Sequence, residues 1–127
     1  MSNTIKDALD KDFKNISLNK QDIIKTVQRI DKNAFTYNAK GKTIFNEEYR
    51  GLADIINGYS RGEIKLGYSH SKTYWNKNKT IEKEAFAQFG RIYFENNSRV
   101  IKTIEQLLPA TKQYIDIKLR KVSKKYV

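Results

Sequence analysis

The chain has 127 residues and a formal net charge of +11, because 25 lysines and arginines outnumber 14 aspartates and glutamates. This length suits one domain with its own hydrophobic core. The chain has no cysteine, which excludes disulfides and thiolate metal sites. No stretch of about 18 apolar residues occurs, so we expect no membrane-spanning segment. The beginning of the chain has no unbroken apolar run, so no secretory signal is predicted either.

The positive charge favours an anionic partner, such as nucleic acid or an acidic protein, and solubility is the alternative explanation. Part of the excess lies near the end of the chain, where residues 111–127 hold six basic residues and one acid. Apolar residues are too few there to bury a full helical face, so we predict a globular domain at residues 1–122 and a basic tail at residues 123–127. The predicted anion-binding residues are Lys118, Arg120, Lys121, Lys124 and Lys125.

Apolar residues at helical spacing predict a mainly α fold. The first stripe consists of Ile5, Leu9 and Phe13, and Asn19 then stands where an N-cap of the next helix is expected. Further helices are predicted after three more caps, and a proline should interrupt the last helical stretch. These positions are Asn46, Thr80 and Ser98 for the caps and Pro109 for the interruption.

Two of these predicted helices carry further expectations. The helix that Asn46 caps should end at Asn57-Gly58, because glycine tolerates the left-handed conformation that closes a helix. The helix after Thr80 should be the most deeply buried of the chain. Its apolar stripe is flanked by two more aromatic residues, and the full set is Ile81, Ala85, Phe89, Ile92, Phe86 and Tyr93.

Two segments lack helical periodicity. Residues 32–42 predict a loop or a short β-hairpin, because Phe35 and Tyr37 alternate with polar neighbours. Residues 58–78 hold three glycines together with several large aromatic rings. Such rings are unfavourable in water, which predicts a long loop that is ordered because its rings pack. The predicted fold class is therefore a small, mainly helical domain with one long aromatic-rich ordered loop.

The long loop contains the only histidine and the only tryptophan of the chain, just before the helix that carries Glu84. A carboxylate that borders a core needs a partner, so loop and helix are predicted to form one site. The predicted binding cluster is His70, Ser71, Tyr74, Trp75, Glu84 and Gln88. The alternatives are that the rings only anchor the loop, and that Glu84 is a surface residue paired with Lys83 or Gln88.

Catalysis is not predicted. There is no cysteine nucleophile and no phosphate-binding loop motif, and the serines beside His70 lack a glycine elbow. A zinc site needs about three protein ligands, usually with histidine, and the chain has one histidine. We therefore expect no metal, no cofactor and no catalytic residue in the chain on its own.

Several short motifs occur in the order found in one known family. They are Gly51-Leu52-Ala53-Asp54, Gly67-Tyr68-Ser69-His70-Ser71 with Tyr74-Trp75, Glu82-Lys83-Glu84-Ala85-Phe86-Ala87 and Leu107-Leu108-Pro109. Together they resemble the C-terminal zincin-like domain of phage Mu-type minor head, or head morphogenesis, proteins. In that family an H-E-x-x-H helix lies upstream, and the glutamate of an E-x-F-A helix supplies the third zinc ligand. Glu84 matches this glutamate.

The H-E-x-x-H helix is missing from the sequence, so Glu84 would bind metal only if such a helix were supplied upstream. The resemblance implies either a fragment of a longer zincin-like protein or a stand-alone relative that has lost catalysis. In both cases we expect a phage or prophage module that binds a protein, in the virion or in the host cytoplasm. The sequence leaves open whether it serves virion assembly, DNA delivery or host interference, and it does not give the oligomeric state.

The alternative function is a small basic nucleic-acid-binding protein, or a phage-encoded inhibitor of a host nucleic-acid enzyme. Its support is the charge and the mixture of rings and lysines in residues 72–77, which could stack on unpaired bases. None of the common sequence-reading motifs for nucleic acid occurs. Binding that falls steeply with salt would favour this alternative.

Overall fold

The computed structural model describes residues 4–67 and 81–125, and both parts are mainly helical. The first part contains α1 (Ile5–Phe13), α2 (Lys20–Ile30) and α3 (Arg50–Tyr59), and the second contains α4 (Ile81–Glu95), α5 (Ser98–Leu107) and α6 (Pro109–Lys125). Between α2 and α3, strands β1 (Phe35–Tyr37) and β2 (Thr43–Phe45) form an antiparallel hairpin, followed by a 3-10 turn over Glu47–Tyr49. The predicted mainly α class with a short β-hairpin is confirmed, whereas most of the predicted long loop, from residue 68 onward, lies outside the described residues. Within these two ranges, no helix is long and apolar enough to cross a membrane.

The first two helices form where local sequence signals predict them. At α1 the Thr4 hydroxyl accepts a hydrogen bond from the Asp7 amide at 3.0 Å. At α2 the side-chain oxygen of Asn19 accepts from the amides of Gln21 and Asp22 at 2.9 and 3.3 Å. Both contacts satisfy amides that a helix start leaves without an intrahelical partner. The predicted apolar stripe of α1, formed by Ile5, Leu9 and Phe13, is buried in the core, and so are Ile23 and Val27 of α2.

The helix that lies deepest in the described structure is α3, in which every residue from Gly51 to Gly58 is buried. It packs against α4 so closely that a Cβ atom on Gly51 would lie 3.0 Å from two side-chain carbons of Ile92. The prediction that the helix after Thr80 is the most deeply buried is wrong. One side of α4 packs into the core, but on its other side Phe86 is 37% exposed and Phe94 is 91% exposed.

Two predicted N-caps need correction. Asn46 stands at the N-cap position of the 3-10 turn but makes no capping hydrogen bond, and its side-chain amide donates to the carbonyl of Asn33 at the base of the hairpin. The cap of α5 is Asn97 and not Ser98, since the Asn97 side-chain oxygen accepts from the first free amides of that helix. Thr80, the predicted cap of α4, lies outside the described residues.

The predicted end of α3 at Asn57-Gly58 is wrong, because the helix continues through both residues. Asn57 is buried, and its side-chain amide donates to the carbonyl of Ile64 at 3.1 Å. This contact holds the chain after the helix against the helix itself. The residues with positive φ come later, at Arg61 and Gly62.

Pro109 interrupts the last helical stretch as predicted, and a distant carboxylate caps the helix that follows. Asp12, on α1, is 4% exposed. It accepts hydrogen bonds from the amides of Ala110 and Thr111 at 3.0 and 2.9 Å and from the Thr111 hydroxyl at 2.7 Å. A negative charge at this position also complements the positive end of the helix dipole. Asp12 thus ties the beginning of the chain to α6.

A second long-range network is centred on the buried hydroxyl of Tyr49. The hydroxyl donates to Asp31 at 2.8 Å and lies 2.7 Å from the hydroxyl oxygen of Thr103. Arg99 joins the network through hydrogen bonds of 2.8 Å to Asp31 and 3.1 Å to Glu48. Burial acts to raise the pKa of Asp31, but the donors Tyr49, the Asn33 amide and Arg99 together lower it below its ordinary value. The network holds α2, the 3-10 turn and α5 together.

Candidate functional site

The predicted binding cluster is only partly within the described structure. His70, Ser71, Tyr74 and Trp75 lie outside the described residues, so the approach of His70 to Glu84 stays a prediction. Glu84 and Gln88 lie one helical turn apart on α4, and both are half-buried. They border the part of α4 that packs against α3.

Gln88 makes the polar contact that joins α4 to α3. Its side-chain amide donates to a carboxylate oxygen of Asp54 at 3.0 Å, and Asp54 is 9% exposed. A hydrogen bond in this half-buried position is favourable because it offsets the loss of water around the carboxylate. The role that follows for Gln88 is to position α4 and, with it, Glu84.

In residues 4–67 and 81–125, no group of three or more histidine, cysteine, aspartate or glutamate side chains is arranged to hold a metal ion. His70 is not among these residues. The expectation about metal in the whole chain therefore stays a prediction.

The described structure presents an apolar surface on α4 that the sequence reasoning missed. Phe86, Gly90 and Phe94 recur every four residues, and Ala87 lies beside them. All four are exposed, and Phe94 is 91% exposed. The signal was present in the sequence as a second apolar stripe on the helix, at the spacing that places residues on one face. We call these four residues the α4 face.

The apolar surface continues from α4 onto α6. The rings of Phe86 and Tyr114 lie 6.3 Å apart between centroids. The ammonium group of Lys118 lies 5.6 Å from the centroid of the Tyr114 ring, a distance at which cation and ring attract. We call the α4 face together with Tyr114 and Lys118 the α4–α6 patch. Lys118 therefore lies at the edge of an aromatic surface.

The predicted anion-binding residues are distributed over different sides of α6. Lys118, Arg120 and Lys121 are exposed. Arg120 lines a groove of about 650 Å³ between α1 and α6, together with Lys11 and Lys112, while Lys118 lies beside Tyr114. The side chains of Lys124 and Lys125 lie outside the described part of the structure. The backbone of α6 runs to Lys125, so the predicted domain boundary at residue 122 falls inside this helix.

Many of the acidic side chains are engaged in contacts that hold the fold together. Asp10 accepts a hydrogen bond from Tyr59 at 2.6 Å, which lowers the pKa of Asp10, and Lys6 adds an ion pair at 3.0 Å. Asp116 accepts from Tyr93 and pairs with Lys112 at 2.9 Å. Asp12, Asp31 and Glu48 are held in the long-range contacts described above. These five acids therefore serve the fold, and other acids, such as Asp22 and Glu82, are exposed.

Comparison with protein-family models, with curated proteins and with solved structures finds no match for the chain. The resemblance to phage minor head proteins consequently stands on the short motifs quoted above.

Proposed function

We propose that this protein is a non-catalytic binding module of phage or prophage origin that docks a helix of a protein partner on the α4–α6 patch. The observation that carries the proposal is the exposure of Phe94, at 91% of its surface, within an apolar helix face. The phage origin is supported by the resemblance of the motifs around His70 and Glu84 to minor head proteins. Glu84 lies on the same helix as the α4 face, three residues before Ala87.

Single exposed apolar residues are common on protein surfaces and need no explanation. Here, however, the exposed apolar residues share one helix face. Phe94 lies two turns after Phe86, with Gly90 between them, and Tyr114 extends the surface from Phe86 to α6. Contiguous apolar patches of this kind are typical of protein interfaces. Burial of a phenylalanine side chain contributes about 1.5–3 kcal/mol, which is enough to anchor a partner.

Gly90 indicates that the partner contributes a helix. It lies in the interior of α4, where glycine is less favourable than alanine by about 1 kcal/mol. The described part of the fold does not require it, because a Cβ atom at Gly90 would meet no atom of residues 4–67 or 81–125 within 4 Å. Small residues such as Gly90 and Ala87 allow a second helix to approach closely, since the distance between packed helices depends on the side chains at the contact.

The net charge of +11 favours an acidic partner. Around the patch, Lys118 is exposed beside Tyr114 on α6, and Glu82 and Lys83 are both exposed near Phe86 on α4. A second copy of this chain would bring two molecules of net charge +11 together, which is electrostatically unfavourable. The occupant we propose is therefore an amphipathic helix with an apolar stripe and acidic flanks, from a different protein.

A synthetic peptide tests the proposed interaction directly. We expect an acidic amphipathic peptide of about six helical turns to bind the wild-type chain in fluorescence anisotropy, and its lysine-flanked counterpart not to bind. Phe94→Ser should weaken binding about tenfold, or about 1.4 kcal/mol, because the anchor is lost. Leu18→Ser is the control, since it removes another exposed apolar side chain, 45% exposed, from the segment before α2.

Three results would contradict the proposal. The first is equal binding of the acidic and lysine-flanked peptides, and the second is equal binding by wild type and Phe94→Ser. The third is that the wild type self-associates in sedimentation equilibrium and Phe94→Ser does not. This result would mean that a second copy of the chain, and not a different protein, binds the α4–α6 patch. Folding of each variant is checked by circular dichroism, and Phe94→Ser should change stability by less than about 0.5 kcal/mol because its site is exposed.

Gly90→Ala should raise the free energy of unfolding by about 0.5–1 kcal/mol, because alanine favours the helix and its methyl group meets no atom of the described residues within 4 Å. If Gly90 serves the close approach of a partner helix, the same variant should bind the acidic peptide more weakly than the wild type. Urea unfolding and anisotropy measure the two effects separately. Lower stability of Gly90→Ala would show that the fold requires this glycine.

A further inference from the structure

The hairpin between α2 and α3 projects an aromatic ring and lysines from its end. Its register pairs Phe35 with Phe45, and Tyr37 with Thr43. Residues two apart on a strand share one side of the sheet, so Tyr37 lies on the same side as Phe35. Tyr37 is 74% exposed, whereas Phe45 is buried. We call Tyr37, Lys40 and Lys42 the hairpin tip.

The turn at the hairpin tip is fixed by Asn38. Its side-chain oxygen accepts hydrogen bonds from the amides of Lys40 and Lys42 at 2.9 and 3.0 Å. Its backbone amide donates to the carbonyl of Lys42 at 2.9 Å, and its carbonyl accepts from Gly41, which has a φ of +76°. These bonds specify one conformation of the turn, so a ligand that binds here does not have to order the backbone first.

A series of stacked rings connects the hairpin to the core. The rings of Phe35 and Phe45 lie 4.4 Å apart between centroids, and those of Phe45 and Tyr49 lie 5.5 Å apart. Tyr49 is fully buried. The strand that carries Tyr37 is therefore anchored by rings at its inner end. Tyr37 itself, one step further out, keeps most of its ring surface accessible to a ligand.

All charged side chains of the hairpin segment, residues 32–46, are positive. Residues 32–46 contain three lysines, Lys32, Lys40 and Lys42, and no aspartate or glutamate. All three lysines are exposed. Exposed lysines without acids in the same segment provide a local positive potential that attracts phosphate groups.

We infer that the hairpin tip binds single-stranded nucleic acid, with Tyr37 stacking on an unpaired base and Lys40 and Lys42 contacting the adjacent phosphates. An accessible ring beside lysines is the combination that single-stranded binding proteins use without reading sequence. An unpaired base offers the face that an exposed ring can stack on, whereas the bases of a duplex are stacked on each other. This site is carried by different residues from the α4–α6 patch and does not depend on it.

The inference is tested with a fluorescein-labelled single-stranded oligothymidylate in anisotropy titrations of the full chain at about 50 and about 200 mM salt. Tyr37→Ala should weaken binding about tenfold, while Tyr37→Phe should bind like the wild type, because base stacking requires the ring and not the hydroxyl. The double variant Lys40→Gln/Lys42→Gln should reduce the slope of log affinity against log salt by about 1.4, the value for two phosphate contacts on a single strand.

A second double variant, Lys14→Gln/Lys25→Gln, controls for the loss of charge alone, because it removes two exposed lysines at the end of α1 and on α2. We expect this control to reduce the salt slope much less than the hairpin variant does. Equal reductions in the two double variants, wild-type binding by Tyr37→Ala, or tighter binding to the matching duplex than to the single strand would each overturn the inference. No measurable binding by the wild type at the lower salt concentration would overturn it as well.

Discussion

Replacement of Asp12 by alanine is expected to lower the free energy of unfolding by about 3 kcal/mol. Loss of a helix cap costs about 1–2 kcal/mol, and a buried donor left without a partner costs about 1–3 kcal/mol. Asp12 is 4% exposed and accepts from two amides and one hydroxyl at the start of α6. Alanine leaves these donors without their acceptor, and the two donors of Thr111 are buried.

Urea unfolding followed by circular dichroism measures this effect. Asp12→Asn keeps one acceptor oxygen and should lie between the wild type and the alanine variant. Asp22→Ala is the control, because it removes an acid from the first turn of α2 where the side chain is exposed. This substitution should change the free energy of unfolding by less than about 0.5 kcal/mol. A loss below about 1 kcal/mol for Asp12→Ala would show that water replaces the carboxylate.

The elements that the sequence predicts well are those whose signals are local. The cap at Asn19 acts on amides two and three residues away, and the stripe of α1 repeats every four residues. The break at Pro109 follows from the covalent geometry of proline itself. In each case the physical cause and the structure it produces lie within one or two helical turns.

The contacts between distant parts of the chain could not be predicted from such local signals. Asp12 and Thr111 are 99 residues apart, and Tyr49 and Thr103 are 54 apart. An aspartate near the end of a short helix is compatible with an exposed ion pair as well as with a buried cap. Only the packing of α1 against α6 decides which one forms, and packing depends on the whole chain.

The exposed face of α4 in the candidate site also could not be predicted from local sequence signals. Its sequence has one apolar stripe with Ala85 and Phe89 and a second one with Phe86 and Phe94. Periodicity shows that both stripes exist, but it does not show which one the rest of the chain covers. The structure buries the first against α3 and leaves the second exposed. The flanking ring at Phe86, interpreted as a sign of deep burial, belongs to the exposed surface.

Replacement of Tyr49 by phenylalanine is expected to lower the free energy of unfolding by about 2 kcal/mol at neutral pH. The ring remains in place, so the loss arises from the hydroxyl, which donates to Asp31 and lies 2.7 Å from the Thr103 oxygen. A hydrogen bond to a charged group contributes about 1.5–3 kcal/mol. Tyr114→Phe is the matched control, because Tyr114 lies in the α4–α6 patch and is only half-buried. It should change stability by less than about 1 kcal/mol.

The same substitution should change how stability depends on pH in alkaline solution. Burial, reinforced by the nearby Asp31 carboxylate, raises the pKa of Tyr49 from 10.0 to about 12. Below pH 10 the phenol is neutral in both the folded and the unfolded chain, so its stabilisation is fully present. As pH rises from about 10 to about 12, the unfolded chain loses this proton and the folded chain keeps it, so stability falls by up to about 1.4 kcal/mol per pH unit.

Tyr59 should contribute a similar fall, because burial and Asp10 raise its pKa to about 12 as well. Tyr49→Phe has no phenol at position 49, so its stability should decline less steeply than that of the wild type between pH 10 and pH 12. The two stability curves should therefore converge in this range, although the variant is less stable at pH 7. Urea unfolding at intervals of half a pH unit measures the slopes. Parallel curves would mean that the Tyr49 phenol ionises in the folded chain as readily as in the unfolded one.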